Sequence, residues 1–266
     1  MRHIPDKPRV IEAPDFWSRV CGAARPFLGL DYDGTLAPFH LERTRALPLP
    51  GVVELLESIN RSGKTFLAII SGRPLSELLC LLGDIPIPLV GSHGFEWKYP
   101  GSRIEVVNLP REQADGLAVA GRTVEKLDLA HLTEVKTASI ALHTRPLRTN
   151  QAERIEALVL PLWTDIASSH NLHCRHFNGG IEILSRECNK ADALMTLFNR
   201  SGADLPIYVG DDATDEDAFR ALAGRGIGIR VGLPETPTAA EGFLPDCRAV
   251  KELLTTWLLI DSGHSC

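Results

Sequence analysis

Two aspartates follow an apolar stretch near the start of the chain. The segment RPFLGLDYDGTL places Asp31 and Asp33 two residues apart, directly after FLGL, with Gly34 and Thr35 behind them. Side chains two positions apart on an extended strand share one side. A phosphate ester repels nucleophiles through its negative oxygens, so a cation is needed before one carboxylate can attack phosphorus and the other can protonate the leaving alcohol. For the aspartate pair alone, an acidic turn after a strand is the alternative.

A second acidic segment, VGDDATDEDAF, holds five carboxylates between Asp211 and Asp217. Acids at a helix start are stabilised by its dipole, and a capping pair of Thr214 with Asp217 would explain the later ones. Asp211 and Asp212 instead crowd the loop directly after an apolar strand, where they repel one another unless a cation lies among them. Together with Asp31, they predict an all-oxygen site for Mg2+.

Three further residues lie where a phosphoryl group would need partners. Ser71 and Arg73 follow an apolar run in FLAIISGR, where the serine suits a hydrogen bond to a phosphoryl oxygen and the arginine a contact with substrate. Lys190 opens a helix whose N-terminus favours anions, and its charge would keep a neighbouring carboxylate ionised. Each has an ordinary explanation alone, as a loop serine or an exposed lysine.

Strands that alternate with helices must position these residues. Strand-like segments RPFLGL, KTFLAII, IPLVG, LPIYVG and GIGIRVG are separated by helix-like ones such as PGVVELLESINRSG and PLSELLCLLG. This alternation predicts an α/β fold with a parallel sheet covered by helices on both faces. Ligands bind at the carboxyl ends of such strands, and Asp31, Ser71 and Asp211 each follow one of those ends.

The middle of the chain is patterned differently. Strand-like EVKTASIALHTR and CRHFNGGIEILS and helix-like AVAGRTVEKLDLA and AERIEALVLPLWTDIA are less regularly interleaved. The sequence therefore predicts an inserted α+β cap domain at 107–186. The Rossmann-like catalytic core would then combine residues 1–106 with 187–266.

Composition limits the classes of function. The net charge of −6 offers no basic field for nucleic acid, and no apolar stretch approaches the length of a membrane span. The N-terminal segment has no apolar core typical of a signal peptide. The six cysteines form no CxxC pair, so we expect reduced thiols and a cytoplasmic protein.

Two groups of residues are explained by ordinary structural roles. His170, His173 and His176 recur every three positions, which on a strand alternates faces, so a metal site is not expected there. The aromatic residues expected to pack in the core are Phe16, Trp17 and Trp257.

The order of aspartate pair, serine, lysine and acidic cluster resembles the haloacid dehalogenase-like (HAD-like) phosphohydrolases. The resemblance implies that Asp31 is the nucleophile and Asp33 the general acid and base. It further implies that Mg2+ is held by carboxylates of Asp31 and Asp211 and by the backbone carbonyl of Asp33. The resemblance also implies that Ser71 and Lys190 bind the phosphoryl group. Asp212 and Asp215 would hold the metal ligands in position without binding the ion.

Segments in the middle of the chain resemble the trehalose-6-phosphate phosphatases. GSHGFEW is similar to the Gly-x-His-Gly-x-Glu segment of that family, EVKTASIALHTR to its lysine followed by His-x-Arg, and GGIEILSRECNK to the stretch with a sugar-contacting glutamate. The family implies hydrolysis of a sugar phosphate to trehalose and phosphate beneath a closing cap. The substrate-binding residues expected on these grounds are Arg73, His93, Glu96, Lys136, His143, Arg145 and Glu182. On one strand, parity would send Lys136 to the face opposite His143 and Arg145 unless a bulge intervened.

Departures from the family pattern leave the substrate open. Asn178 stands where a cap lysine is expected, Ser-Arg-Glu at 185–187 replaces a basic-proline-glycine turn, and Ala191 follows Lys190 in place of glycine. A trehalose-like or glucosyl-glycerol-type phosphate would use the same machinery. A sugar phosphomutase of the superfamily and a non-catalytic phosphosugar-sensing module are the other hypotheses. A trehalose-6-phosphate synthase of the same pathway is the candidate partner.

Overall fold

The computed structural model describes residues 9–40, 42–177, 179–233 and 235–263. The strands are β1 (Pro26–Leu30), β2 (Phe66–Ile70), β3 (Leu89–Gly91), β4 (Glu96–Lys98), β5 (Glu105–Val106), β6 (Thr133–Val135), β7 (Ser139–His143), β8 (Leu172–Phe177), β9 (Gly180–Ser185), β10 (Leu205–Gly210), β11 (Ile227–Val231) and β12 (Gly242–Leu244). The α-helices are α1 (Pro14–Gly22), α2 (Val52–Ser62), α3 (Leu75–Leu82), α4 (Arg111–Lys126), α5 (Thr149–Ser169), α6 (Lys190–Ser201), α7 (Glu216–Leu222) and α8 (Cys247–Asp261).

The larger sheet has the strand order β12-β11-β10-β1-β2-β3-β4-β5. Strand β1 pairs in parallel with β2 on one side and with β10 on the other. From this centre the chain moves outward through β2 and β3 in one direction and through β11 and β12 in the other. The reversal between β1 and β10 is the switch point at which open α/β sheets bind ligands.

The central strands β1 (PFLGL), β2 (FLAII) and β10 (LPIYVG) are almost entirely apolar and buried, because both faces of the sheet are covered there. Leu28 of β1 belongs to a buried cluster with Leu56 of α2 and Leu253 of α8. Its neighbour Phe27 belongs to a separate cluster with Leu194 of α6. Successive strand residues therefore serve opposite helix layers, and the predicted α/β architecture is confirmed.

Residues Val106–Asn189 form a second compact unit, whereas the first unit combines the chain up to Glu105 with the chain from Lys190 onward. The second unit has an antiparallel sheet of order β6-β7-β9-β8. Ile140 of β7 and Ile181 of β9 pack there with Trp163 of α5. The sequence pattern predicts a separate α+β insert, and its role as a cap stays a prediction.

One expected strand of this insert is a hairpin instead. EVKTASIALHTR forms β6 and β7, which pair antiparallel. The amide of Lys136 donates to the carbonyl of Ser139 at 2.9 Å and closes the turn between them. The parity argument about Lys136 and His143 was therefore wrong, because the chain reverses direction between these residues.

The expectation of reduced thiols is wrong at one position. Cys21 is disulfide-bonded, whereas Cys80, Cys174, Cys188 and Cys247 are thiols. Sequence spacing does not reveal this, because a disulfide depends on the separation of two residues in space. Within the described ranges, no helix combines the length and apolar character that crossing a bilayer requires.

The expected aromatic core residues pack together. The ring centroids of Phe16 and Trp17 are 4.8 Å apart, and those of Phe16 and Trp257 are 6.3 Å apart, both edge to face. Trp257 is fully buried, and its indole nitrogen donates to Thr65 Oγ1 at 2.8 Å. Thr65 in turn donates to Asp261. The burial and the satisfied indole indicate a packing role for Trp257, not a ligand platform.

We predict that Trp257→Ala lowers the free energy of unfolding by about 3–5 kcal/mol, because it removes a large buried side chain and leaves a cavity. Leu259→Ala on the same helix is the matched control, since Leu259 is 49% exposed, and it should change stability by about 0.5 kcal/mol or less. Urea unfolding monitored by circular dichroism measures both. Equal effects would contradict the packing role.

Candidate active site

Asp31 and Asp211 lie side by side at the switch point. Asp31 follows β1 and Asp211 follows β10, and the amide of Asp31 donates to the carbonyl of Val209 at 2.9 Å. Gly34 allows the two loops to touch, because a Cβ atom there would lie 2.3 Å from Asp211 Oδ2. Gly34 also has φ +74°, which disfavours other residues. The thiol of Cys247 donates to the carbonyl of Gly34 at 3.2 Å and supports this turn.

Three carboxyl groups converge on one lysine at this point. One carboxylate oxygen from each of Asp31, Asp211 and Asp215 lies within 4.8 Å of the others. Lys190 Nζ lies 2.9 Å from Asp31 Oδ1 and 2.8 Å from Asp215 Oδ1. Asp31, Lys190 and Asp215 are all buried. One ammonium group facing three carboxylates leaves an excess of negative charge in a region with little water.

Asp215 fixes the relative positions of the other groups. Its Oδ1 accepts hydrogen bonds from Lys190 and, at 2.7 Å, from the Tyr208 hydroxyl. Its Oδ2 accepts from the backbone amides of Asp211 and Asp212, both at 3.0 Å. These four bonds saturate the carboxylate and tie the loop after β10 to α6.

The expected capping pair at the start of α7 is wrong. Asp212 and Asp215 form the capping box of the short 3₁₀ helix Ala213–Asp215 that precedes α7. Asp217 instead pairs with Arg220 at the surface. Asp215 faces inward to Lys190, so the helix dipole alone does not account for its position.

The electrostatics of the cluster fit a divalent cation. Asp211 Oδ1 is buried and has no hydrogen-bond partner. Burial raises the pKa of Asp211 well above its usual value, and Asp31 and Asp215 act in the same direction. Burial also raises the pKa of Asp31 to about 8, although Lys190 opposes this. A cation bound by oxygen ligands would satisfy the open oxygen of Asp211 and offset the repulsion.

Lys190 stays charged in this environment. Burial lowers the pKa of Lys190, but the charges of Asp215 and Asp31 outweigh this and leave the pKa above its usual value. The lysine is therefore a permanent positive charge beside Asp31. It suits the predicted task of binding a phosphoryl oxygen and favouring ionised Asp31.

The side chain of Asp33 lies apart from the cluster and binds Arg73. Arg73 Nε donates to Asp33 Oδ2 and Arg73 Nη2 to Asp33 Oδ1, both at 2.6 Å. Arg73 also pairs with Glu77 at 2.9 Å, and its side chain is only 4% exposed. A substrate contact by Arg73 stays a prediction that this arrangement does not support, because the guanidinium group is already committed.

Ser71 and His93 belong to two loops that are bonded to each other. Ser71 follows β2 and is buried, and its carbonyl accepts from the amide of His93 at 3.0 Å. His93 has φ +57°, an uncommon conformation for a side chain that is not glycine. Its ring covers Gly72, where a Cβ atom would lie 2.5 Å from the ring. Strained residues often occur at ligand sites, which suits the predicted role of His93.

Glu96 is bound within the protein. Its Oε1 accepts from the Ser92 hydroxyl at 2.8 Å, and its Oε2 accepts from the amide of Leu75 at 2.7 Å. Glu96 thereby ties the GSHG turn to the start of α3. To contact a sugar as predicted, Glu96 would have to form a further hydrogen bond in addition to these two.

The expected sugar-binding residues of the second unit form a polar network around Glu182. Glu182 Oε1 accepts from Lys136 Nζ at 3.0 Å and from the Ser139 hydroxyl at 2.7 Å. Arg175 lies opposite Glu182 in the β8–β9 pair and donates to its Oε2 at 3.4 Å. The hairpin therefore brings Lys136 and Glu182 together.

The histidine and arginine of the HTR segment lie at the end of the same sheet. His143 Nε2 is 2.9 Å from Glu134 Oε2. The amide of Arg145 donates to the carbonyl of Gly179 at 3.2 Å. Asn178, one of the departures from the family pattern, lies outside the described residues.

The second departure is anchored to α4. Gln113 donates to Glu187 at 2.9 Å and accepts from the Ser185 hydroxyl, and the side chain of Arg186 donates to the carbonyl of Leu172 at 2.9 Å. The residues that replace the basic-proline-glycine turn are therefore bonded within the second unit. At the third departure, Ala191 lies in the first turn of α6, where alanine favours a helix more than glycine does.

The three regularly spaced histidines lie around the end of α5 and on β8. His170 lies at the end of α5 and contacts the carbonyl of Ile166. His176 pairs with Glu156. In the part of the chain that the structure describes, the residues grouped closely enough to hold a metal ion are Asp31, Asp211 and Asp215.

One family pattern runs through most of the chain. The sequence model of the trehalose-phosphatases matches residues 29–245, a range that contains every candidate residue described above. The chain belongs to the trehalose-phosphatase family. The first of the predicted resemblances, to HAD-like phosphohydrolases, agrees with this, and so does the closer one to trehalose-6-phosphate phosphatases.

Relatives within the family differ in length. The chain is 30% identical over 237 residues to the bifunctional trehalose-6-phosphate synthase/phosphatase of Thermoproteus tenax, covering 87% of this chain and 32% of that protein. It is 27% identical over 235 residues to the trehalose-6-phosphate phosphatase of Escherichia coli, covering 86% of each. The chain thus spans about a third of the length of the first relative.

A solved structure shares the fold. The C-terminal domain of Candida albicans trehalose-6-phosphate phosphatase superposes with a TM-score of 0.81 at 23% identity, covering 95% of this chain and 98% of that one.

Several residues of this site have no signal in the sequence. Tyr208 looks like one more apolar strand residue, yet its hydroxyl binds Asp215. The thiol of Cys247 binds the carbonyl of Gly34, but these residues lie far apart in the chain and no sequence pattern predicts their contact. Glu77 lies in the first turn of α3, but Arg73 precedes that helix, so the spacing of four residues does not by itself predict their ion pair.

We predict that Gly34→Ala abolishes cation binding, because the added methyl group displaces Asp211. Gly63→Ala is a matched control, since Gly63 has φ +72° and a Cβ atom there would meet nothing within 4 Å. Both variants should lose about 1–2 kcal/mol of stability through the left-handed backbone. Isothermal calorimetry with Mg2+ separates them. Intact cation binding by the Gly34 variant would contradict the described contact.

We predict that Asp211→Asn stabilises the protein in a chelator. A carboxyl group whose pKa is raised on folding holds its proton longer in the folded state, so its ionisation costs stability as pH rises above about 4. The gain should grow as the pH rises above about 4 and reach on the order of 1–3 kcal/mol. Added Mg2+ should raise the unfolding temperature of the wild type but not of the variant.

The matched control for this experiment is Asp217→Asn, because the Asp217 side chain is 50% exposed. It should leave both the pH dependence and the response to Mg2+ unchanged. A Mg2+ response that survives Asp211→Asn in full would exclude Asp211 as a ligand.

Proposed function

We propose that this chain hydrolyses trehalose 6-phosphate to trehalose and inorganic phosphate, with Mg2+ as its cofactor. The observation that carries the proposal is the cluster of Asp31, Asp211 and Asp215 around Lys190 at the switch point of the sheet. Membership of the trehalose-phosphatase family supports the reaction. Relatives named trehalose-6-phosphate phosphatase support the substrate.

In the first half of the proposed reaction, a carboxylate oxygen of Asp31 attacks phosphorus. The new oxygen–phosphorus bond forms as the bond from phosphorus to the sugar oxygen breaks. Asp33 gives a proton to that oxygen, which leaves as the sugar hydroxyl group. The phosphoryl group is then carried by Asp31 as an acyl phosphate.

In the second half, water attacks the same phosphorus atom. Asp33, now ionised, takes the proton that water loses, and the bond between phosphorus and Asp31 breaks. Inorganic phosphate leaves, and both aspartates return to their initial states. One residue thus serves as acid and then as base, which requires its carboxyl group to be aimed at one point.

Other residues reduce the charge repulsion of this attack. Lys190, 2.9 Å from the Asp31 carboxylate, is suited to contact a phosphoryl oxygen together with the Ser71 hydroxyl. The carboxylates of Asp31 and Asp211 and the backbone carbonyl of Asp33 would hold Mg2+. When bound, Mg2+ supplies positive charge that offsets the phosphoryl oxygens and the buried carboxylates.

For recognition of the sugar we propose the polar residues that the resemblance to the family implies. In the first unit these are His93 and Glu96. In the second unit they are Lys136, His143, Arg145 and Glu182. The Thermoproteus relative combines the names synthase and phosphatase, so a trehalose-6-phosphate synthase is the proposed partner in the pathway.

The test is phosphate release from a panel of sugar phosphates with and without Mg2+. We predict Mg2+-dependent release from trehalose 6-phosphate far above that from glucose 6-phosphate. Asp31→Asn should reduce turnover by at least ~10³-fold while the protein stays folded, because the nucleophile is lost. Asp217→Asn, an exposed acid, should leave turnover unchanged.

Three results would replace this function with another. Equal turnover of glucose 6-phosphate would exclude trehalose 6-phosphate as the preferred substrate. A sugar bisphosphate and an isomerised product without free phosphate would indicate a mutase. Tight binding of trehalose 6-phosphate with no turnover in Mg2+ would indicate a sensing module.

A further inference from the structure

Arg73 grips the carboxylate of Asp33 in a two-pronged pair. Its Nε and Nη2 atoms donate to the two oxygens of Asp33, each at 2.6 Å. Paired N–H groups in one plane match a carboxylate and fix its orientation as well as its position. The Asp33 side chain is 30% exposed, so without this pair it would be free to adopt other rotamers.

Arg73 is itself held by groups other than Asp33. Its Nη1 donates to Glu77 at 2.9 Å and to the carbonyl of Arg43 at 3.0 Å. Its guanidinium carbon lies 5.5 Å from the centre of the Tyr32 ring, over its face. Four of the five N–H groups of Arg73 are thereby hydrogen-bonded, and one face of the guanidinium group lies against Tyr32.

Glu77 is supported in turn. Arg43 Nη2 donates to Glu77 Oε2 at 3.1 Å, so the acid that anchors Arg73 is shared by two arginines. Asp33, Arg73, Glu77 and Arg43 thus form a chain of alternating charge. It runs from the DYDGTL turn through the loop after β2 to α3 and the short helix Arg43–Arg45.

A surface ion pair of this kind would contribute little to stability. The Arg73 side chain, however, is only 4% exposed, and burying an arginine to pair with a carboxylate that is 30% exposed costs free energy unless the hydrogen-bond geometry is very good. A contact between Arg73 and the substrate would also not explain why both Nε and Nη2 of Arg73 bind Asp33. The feature that the arrangement does provide is a single orientation for one carboxyl group.

The geometry points to Arg73 as the residue that positions Asp33 for proton transfer, with Glu77 and Arg43 holding Arg73 in place. This inference rests on the proposed function and adds the device that aims its acid and base. Arg73 acts through Asp33 and does not touch the reacting phosphoryl group. The Arg73–Asp33 fork holds the carboxyl group where the ester oxygen leaves and where water later attacks.

The test compares two substrates that need the proton to different degrees. The sugar oxygen of trehalose 6-phosphate leaves as a strong base and requires protonation, whereas p-nitrophenolate is a weak base and leaves without it. Arg73→Met should lower kcat/KM for trehalose 6-phosphate by about 10²–10³-fold, which lies within the usual contribution of a general acid of about 10²–10⁴-fold. For p-nitrophenyl phosphate the loss should stay below about 10-fold.

Arg73→Lys separates charge from geometry. Lysine keeps the positive charge but cannot offer two N–H groups in one plane, so the loss should approach that of Arg73→Met. Arg45→Met is the matched control, because Arg45 lies on the same short helix as Arg43 and its side chain is 69% exposed. It should leave kcat/KM unchanged on both substrates.

A double-variant cycle decides whether Arg73 acts through Asp33. Asp33→Asn combined with Arg73→Met should be no slower on trehalose 6-phosphate than Asp33→Asn alone, because the positioned group is already absent. Mg2+-dependent stabilisation in thermal unfolding should persist in Arg73→Met. Equal losses on both substrates, or additive losses in the double variant, would overturn the inference.

Failure of the proposed function has a different signature. If the wild type cleaves another sugar phosphate but not trehalose 6-phosphate, the substrate assignment is wrong. The same comparison with p-nitrophenyl phosphate is then made on the sugar phosphate that is cleaved, so the role of Arg73 is still decided. If the wild type cleaves no sugar phosphate at all, both proposals fall.

Discussion

Three clustered carboxyl groups, two of them buried, beside one buried ammonium group are the constraint on which the rest of the structure depends. The oxygens of Asp31, Asp211 and Asp215 lie within 4.8 Å of one another, and Lys190 offsets only part of their charge. Such a cluster opposes folding unless a cation joins it. The apolar clusters on both faces of the sheet supply the stability that allows this arrangement to persist. The charge repulsion that opposes folding is thus located where the proposed reaction takes place, as is common at functional sites.

The fold satisfies this constraint mainly through backbone geometry. Parallel pairing of β1 with β10 brings the ends of two strands together, and Gly34 lets the turn after β1 contact Asp211. Asp215 then orders the loop by accepting two backbone amides. The backbone therefore fixes the positions of the side chains that carry the proposed chemistry, and few side-chain rotations have to be restricted in addition.

Much of this site could be predicted from the sequence because its signals are local. An apolar strand followed by acids marks Asp31 and Asp211, and the strand–helix alternation indicates the shared edge of the sheet. Contacts set by three-dimensional packing left no such signal. Arg73 binds Asp33 40 residues away in the chain. The Tyr208 hydroxyl binds Asp215 only 7 residues later, but the loop that turns Asp215 back towards β10 has no pattern that predicts this bond. The hairpin at Lys136 was missed because one continuous strand-like pattern covered two strands and their turn.

The central position of β1 has a consequence for how the chain acquires its structure. One edge of β1 pairs with β2 and the other pairs with β10. Strand β10 follows the second unit in the chain, so it is synthesised only after that whole unit. Until then, an apolar strand presents unpaired amide and carbonyl groups, a template for pairing with other chains. Long-range parallel pairing is also slow to form. The nascent chain therefore has a period of vulnerability to aggregation, during which a chaperone would have the greatest effect on yield.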